Sequence, residues 1–247
     1  MTNRPPQAQG DPPVAVVIPA FNEADYVRPV LEVVRQVAGL TRIIVVDDGS
    51  TDGTAEVVRA ASSGDPRIQA IRLPGNYGKA AAIVTGIAFS ECDLIVLVDA
   101  DLVGLRPQHI EDLIAPVRSG EYAMALGLFR RGRFQTDISH VLTPYLSGQR
   151  CLRWPLFRTT PELGTARAGV EVALSLHAWR SRLPVKRVPW RGVTHVMKTE
   201  KAGRVRGLWQ HLRMFAEIGR YLVRQFLPWA SGWRLTLPDW VGGDRDR

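Results

Sequence analysis

Cysteine is scarce in this 247-residue chain, which holds only Cys92 and Cys151. That count excludes a four-cysteine zinc site and a disulfide scaffold, and it suits a reducing compartment. Long apolar runs are also missing. No stretch approaches the roughly 18 apolar residues of a bilayer-spanning helix. Residues 1–13 are polar, with Pro5, Pro6, Pro12 and Pro13, and lack the apolar core of a secretory signal. They read as a disordered tail, and a cytoplasmic protein is expected. Three phosphate- or cation-binding patterns are absent too. Ala20-Phe21-Asn22-Glu23 follows the first apolar run where a dinucleotide fold needs a glycine-rich turn. Gly75–Ala80 is too short for a P-loop and has no Ser or Thr after Lys79. A calcium loop starting at Asp48 would need glutamate where Arg59 stands.

What is there is globular in proportion, 45% hydrophobic and 23% charged, which argues against disorder. The net charge of +8 is unevenly spread. Residues 1–120 carry 10 Lys+Arg against 15 Asp+Glu; the remainder carries 22 against 9, with all seven tryptophans. The basic half suits a phosphorylated acceptor, an anionic membrane surface or nucleic acid, and charge alone does not choose.

The first half alternates strand-length apolar runs with helical periodicity. Val14–Pro19, Arg42–Asp47, Ile68–Leu73 and Leu94–Val98 read as strands. Ala24–Val37, Thr54–Ala61 and Lys79–Ser90 read as helices. Unbroken apolar strands separated by helices predict an α/β fold with a mostly parallel sheet covered on both faces. Ligands of such sheets bind beyond the carboxyl ends of the strands. In the second half, Ile110–Val117 and Glu171–Trp179 are expected helices, Ala123–Leu128 and Val185–Val193 extended, and Ile138–Leu152 helical in parts with Pro144 interrupting. Arg130–Thr136 and Lys198–Arg206 read as basic loops. Arg206–Leu227 is an amphipathic helix with a basic stripe, followed by Trp229 and Trp233. Three fates are open to it: packing on its own domain, lying on an anionic membrane, or pairing in a homodimer.

Asp99-Ala100-Asp101 closes the Leu94–Val98 strand. At a strand period of two, both carboxylates point the same way beyond the sheet. Two like charges about 4–5 Å apart cost roughly 3–4 kcal/mol at an effective dielectric near 20. A divalent cation removes that penalty, and carboxylate oxygens suit Mg²⁺ or Mn²⁺. The same residues also read as ordinary loop acids, one capping the next helix. Asp47-Asp48-Gly49-Ser50-Thr51-Asp52-Gly53 is turn and cap chemistry with more acid than a turn needs. Lys79 reads either as a surface lysine or as a pyrophosphate ligand at a helix N-terminus.

Taken in order, Val16-Val17-Ile18-Pro19-Ala20-Phe21-Asn22-Glu23, Val46–Gly53, Asn76-Tyr77-Gly78-Lys79 and Asp99-Ala100-Asp101 resemble family 2 glycosyltransferases of GT-A fold. The likeness is to the dolichol-phosphate mannosyltransferase and glucosyl-3-phosphoglycerate synthase branches, and it is dense over residues 14–130. It implies a GT-A domain whose residues 14–103 bind the nucleotide sugar and 104–203 the acceptor, with the amphipathic helix and tail in 204–247. It implies that Pro19, Ala20, Glu23, Asp48, Lys79 and Asp99 bind the donor, and that Asp101, Asp99 and His195 hold Mg²⁺ or Mn²⁺. Asp101, Lys79 and Glu171 become the catalytic candidates, Glu171 orienting the acceptor or taking its proton. Arg130, Arg131, Gln149 and Arg150 are expected around a phosphate-bearing acceptor, either lipid-linked at a membrane surface or soluble. Arginine's planar fork suits phosphate. A nucleotidyltransferase, a non-catalytic nucleotide-binding module and a nucleic-acid binder are the competing readings. The first lacks its basic glycine-rich loop, and the last fits poorly with an acidic crevice, so no nucleic acid is expected.

Overall fold

A computed structural model of the chain describes residues 11–130, 147–161, 163 and 169–196. The expected amphipathic helix Arg206–Leu227, the loop bearing Arg131 and the loop Lys198–Arg206 lie outside these residues.

Four parallel strands form the first half: β1 (Val14–Ala20), β2 (Arg42–Asp47), β3 (Ile68–Arg72) and β4 (Leu94–Leu97). Helices α1 (Ala24–Val34), α2 (Thr54–Ser62) and α3 (Lys79–Ser90) connect them. Then come a two-residue strand β5 (Leu102–Val103), α4 (Pro107–Arg118), β6 (Met124–Arg130) and β7 (Arg150–Arg153). Two more helices, α5 (Trp154–Thr159) and α6 (Val170–Arg180), precede β8 (Val185–Arg191) and the short β9 (Thr194–His195). The main sheet runs β3-β2-β1-β4-β7-β6-β8. β7 alone is antiparallel to its neighbours β4 and β6.

The unbroken apolar strands are those a two-sided sheet requires. Val14, Ala15, Val16, Val17 and Ile18 are all fully buried. Val14, Val16 and Ile18 join the core built with Val27, Leu31 and Val34 of α1 and with Ile110, Leu113 and Val117 of α4. Val17 points the other way, to α3. There Gly86 lets the helix lie close: a Cβ on it would stand 2.4 Å from Val17 Cγ1 and 3.1 Å from Val46 Cγ2. A mid-helix glycine costs about 1 kcal/mol against alanine, and here it avoids a contact that would force Val17 or the helix to shift.

Of Ile138–Leu152, expected to be helical in parts, residues 138–146 lie outside the described residues, and Arg150–Arg153 is a strand in the middle of the sheet. Arg150, Cys151 and Leu152 are fully buried because β4 and β6 flank the strand on both edges. A four-residue run with an arginine at each end, two residues between them and neighbours on both edges carries no alternation that separates strand from helix.

Candidate functional site

The acids Asp99 and Asp101 stand where β4 runs out. Immediately after them β5 pairs antiparallel with β9, setting Leu102 opposite His195. The amide of Val196 donates to the Asp101 carbonyl at 3.2 Å. This two-stranded ribbon carries a histidine 94 positions downstream against the carboxylates. His195 Nδ1 lies 3.1 Å from Asp101 Oδ1, and Nε2 lies 3.8 Å from Asp99 Oδ2. Phe129 of β6 meets the imidazole edge-on, ring centres 5.0 Å apart, and itself packs against buried Trp190.

Among the described residues, Asp99, Asp101 and His195 form the one cluster of three groups able to hold a metal ion, one ligand atom from each lying within 4.8 Å of the others. The two carboxylates suit Mn²⁺ or Mg²⁺, and the imidazole tilts the set toward Mn²⁺, the softer of the two. Asp99 is ready for a cation. Burial works to raise its pKa, but Lys79, His195 and the Gln149 amide outweigh burial and bring it to about 2.

Lys79 opens α3, directly after Gly78. Its Nζ is 2.7 Å from Asp99 Oδ1 and 2.8 Å from Glu171 Oε1, a carboxylate in the first turn of α6. Burial works to lower the lysine pKa, and the two carboxylates reverse that, so the ammonium stays charged. Pro19 and Ala20 end β1 opposite Val46 and Asp47. The loop after them is stitched to the loop after β2: Asn22 N–H donates to Ser50 Oγ, Thr51 N–H to Asn22 Oδ1, and Glu23 N–H to Thr54 Oγ1. Asp48, expected among the donor-binding residues, is 3% exposed, and its two oxygens accept from the amides of Tyr77 and Gly78. It ties the loop after β2 to the loop that launches Lys79.

Gln149 and Arg150, expected around an acceptor, are both fully buried. Gln149 Nε2 donates to Asp99 Oδ2 at 2.7 Å, and its Oε1 accepts from Asp99 N–H at 3.0 Å. Arg150 donates to the carbonyl of Glu171 at 2.9 Å and to that of Ser147, and it reaches Ser175 Oγ at 3.3 Å. Burial lowers its pKa to about 10. A guanidinium without exposure and directed at backbone carbonyls anchors α6 rather than presenting a phosphate fork. Arg130 ends β6, and its side chain and all of Arg131 lie outside the described residues.

The model of the family "Glycosyl transferase family 2" matches residues 15–171. The chain belongs to glycosyl transferase family 2. Among curated proteins it is similar to undecaprenyl-phosphate 4-deoxy-4-formamido-L-arabinose transferases of Salmonella choleraesuis and Salmonella newport. Each is 37% identical over 112 residues, 43% of this chain and 34% of theirs, so the match spans about a third of those relatives. Among solved structures it is similar to glucosyl-3-phosphoglycerate synthase from Mycobacterium tuberculosis. The complex with phosphoglyceric acid is 25% identical, with a TM-score of 0.60 over 75% of this chain and 72% of that one. The complex that also holds Mn²⁺ and UDP-glucose gives 25% and 0.59 over the same shares. The mostly parallel seven-stranded sheet with its helices is the GT-A fold expected of this family.

In this family 2 chain the structure brings Lys79, Asp99, Asp101, Glu171 and His195 together. Reading the sequence misses Phe129 beside the histidine and the contact between Gln149 and Asp99. Both depend on the sheet order β4-β7-β6, which periodicity does not encode.

Proposed function

We propose that this chain transfers a hexosyl group from a UDP- or GDP-sugar to a phosphate-bearing acceptor, with Mg²⁺ or Mn²⁺ at Asp101, Asp99 and His195. The carrying observation is the convergence of those three residues with Lys79 at the carboxyl ends of the parallel strands. A bound cation supplies a Lewis acid that offsets charge growing on the departing diphosphate. The chain's own residues do the rest. The loops stitched together by Asn22, Ser50 and Asp48 form the wall for the nucleoside. Lys79 brings a fixed positive charge on a helix N-terminus, where anionic groups are favoured. Support also comes from the neighbours, one of which is described with Mn²⁺, UDP-glucose and phosphoglyceric acid together.

The acceptor's phosphate is the feature shared by the relatives' names, undecaprenyl phosphate in one set and phosphoglyceric acid in the other. Glu171 favours the first kind, in which the phosphate oxygen itself attacks. Its carboxylate is ion-paired with the Lys79 ammonium at 2.8 Å. A carboxylate already engaged by an ammonium suits a nucleophile that arrives anionic and needs no proton removed. The second reading, a soluble phosphorylated acceptor attacking through a hydroxyl, draws on the solved neighbours. No helix among the described residues is long and apolar enough to cross a membrane.

The test is release of nucleoside diphosphate from UDP- and GDP-hexoses with Mn²⁺, offering polyprenyl phosphate or 3-phosphoglycerate as acceptor. Acceptor-stimulated release of UDP or GDP is expected. Release of hexose 1-phosphate instead, with the nucleoside monophosphate passing to the acceptor, would move the chain to nucleotidyl transfer.

A further inference from the structure

We propose that Gln149 is a positioning residue that fixes the rotation of the Asp99 carboxylate toward the cation, an inference that rests on the metal-dependent reading above.

The side-chain amide is fully buried and makes two bonds to one residue. The Asp99 backbone N–H can only donate, so the Gln149 atom facing it at 3.0 Å is the carbonyl oxygen. The amide nitrogen is thereby directed at Asp99 Oδ2, 2.7 Å away. Its orientation follows from the backbone donor, without ambiguity between oxygen and nitrogen. Few side chains could replace it. Glutamate would accept from the amide but turn an oxygen against Asp99, and lysine or arginine could donate but not accept. Leucine or methionine would do neither.

The clasp sorts the two oxygens of Asp99. Oδ1 takes the Lys79 ammonium at 2.7 Å. Oδ2, held by Gln149, is the oxygen that faces His195 Nε2. The neighbouring residue permits the approach. A Cβ on Gly148 would lie 2.7 Å from Asp99 Oδ2 and 3.0 Å from Lys79 Nζ, so a side chain there would displace one or both of them. Gln149 is also at the sheet, its carbonyl accepting from Gly127 N–H at 2.9 Å, so the clasp is mounted on a rigid element. Partners of this kind typically contribute 10–100-fold in metal affinity.

The experiment measures Mn²⁺ binding by the loss of the free-ion EPR signal in the presence of UDP, and UDP binding in EDTA by calorimetry. Gln149→Met should weaken Mn²⁺ binding about 10- to 100-fold, while UDP binding in EDTA stays within about twofold, since its contacts are not the ones removed. A role confined to folding would lower the melting temperature and weaken both together. Gln149→Asn, one methylene shorter, keeps the amide and guards against a variant that fails to fold; it too should lose Mn²⁺ affinity. Wild-type Mn²⁺ binding in either folded variant overturns the proposal. Absence of Mn²⁺ binding to the wild-type protein overturns the metal-dependent reading itself, a result separable from failure of the clasp.

Discussion

Glu171 and Asp101 are both carboxylates at the same end of the sheet, and their partners separate their chemistry. Glu171 faces an ammonium; Asp101 faces an imidazole within a cluster suited to a metal. A residue acting as general base contributes about 10²–10⁴-fold to turnover. If the acceptor oxygen is already anionic, Glu171→Gln should lower turnover by less than about tenfold, because no proton has to be removed. Asp101→Asn removes a charged ligand and should lower turnover about 100-fold or more, as loss of electrostatic stabilisation does elsewhere. Initial rates at saturating donor and Mn²⁺ compare the two. Equal losses would count for a hydroxyl acceptor and against an attacking phosphate. Much at this scale was open to reading. Asp99, Asp101 and Lys79 stand at ends of strand and helix that hydrophobic periodicity marks, and a parallel sheet collects its strand ends at one edge. Arg150 was not legible, because a charged side chain in a sequence reads as exposed, and nothing local announces that β4 and β6 enclose it.

Elements are held by polar groups away from the site as well. Asp65, in the turn between α2 and β3, accepts from Arg67 Nε at 3.0 Å and Nη2 at 2.7 Å, and Arg35 Nε beyond α1 lies 3.4 Å away. The hydrogen bond from Arg67 is the main cause that brings its carboxyl pKa down to about 2 from an ordinary 3.8. The folded pKa is thus below the unfolded one. The link stabilises the fold at pH above about 4 and is lost as the pH falls from 4 towards 2. Urea midpoints measured from pH 7 to pH 3 should fall less steeply for Asp65→Asn than for the wild-type chain. Parallel curves would show that the turn is not pinned by this charge. Legibility also has a limit at the level of elements. The helices α1 and α4 show an apolar stripe and α3 an unbroken run of helix formers, and their spans agree with the sequence reading to within a few residues. β7 does not, being four residues that begin and end with arginine and are too few to show a period. β5 and β9 are two residues each and exist only as a pair, so each is defined by a partner over 90 positions away.

At the scale of the whole molecule, the charge distribution divides the work. The half of the sequence with the acidic excess supplies β1 to β4, and with them Asp48, Lys79, Asp99 and Asp101. The basic half supplies Gln149, Glu171 and His195, the residues that complete the cluster. Neither half holds a finished site, which is why single motifs weigh little and their order weighs more. The coupling has a measurable consequence. A ligand bound only by the folded state raises its stability by about 2.7 kcal/mol when present at 100 times its dissociation constant. A nucleotide sugar and Mn²⁺ together should therefore raise the melting temperature by more than the sum of their separate effects, because the diphosphate and the Asp99–Asp101–His195 cluster share the ion. Thermal melts with UDP-glucose, GDP-mannose and the bare diphosphates, each with Mn²⁺ or with EDTA, give the comparison. The base that produces the larger Mn²⁺-dependent shift identifies the donor, and the shift should vanish in Asp101→Asn. Shifts that are equal in Mn²⁺ and EDTA, or that survive Asp101→Asn, would leave the nucleotide-binding half intact but detach it from the metal cluster. The acids at the end of β4 would then be a structural feature of the sheet edge, with no part in holding the donor.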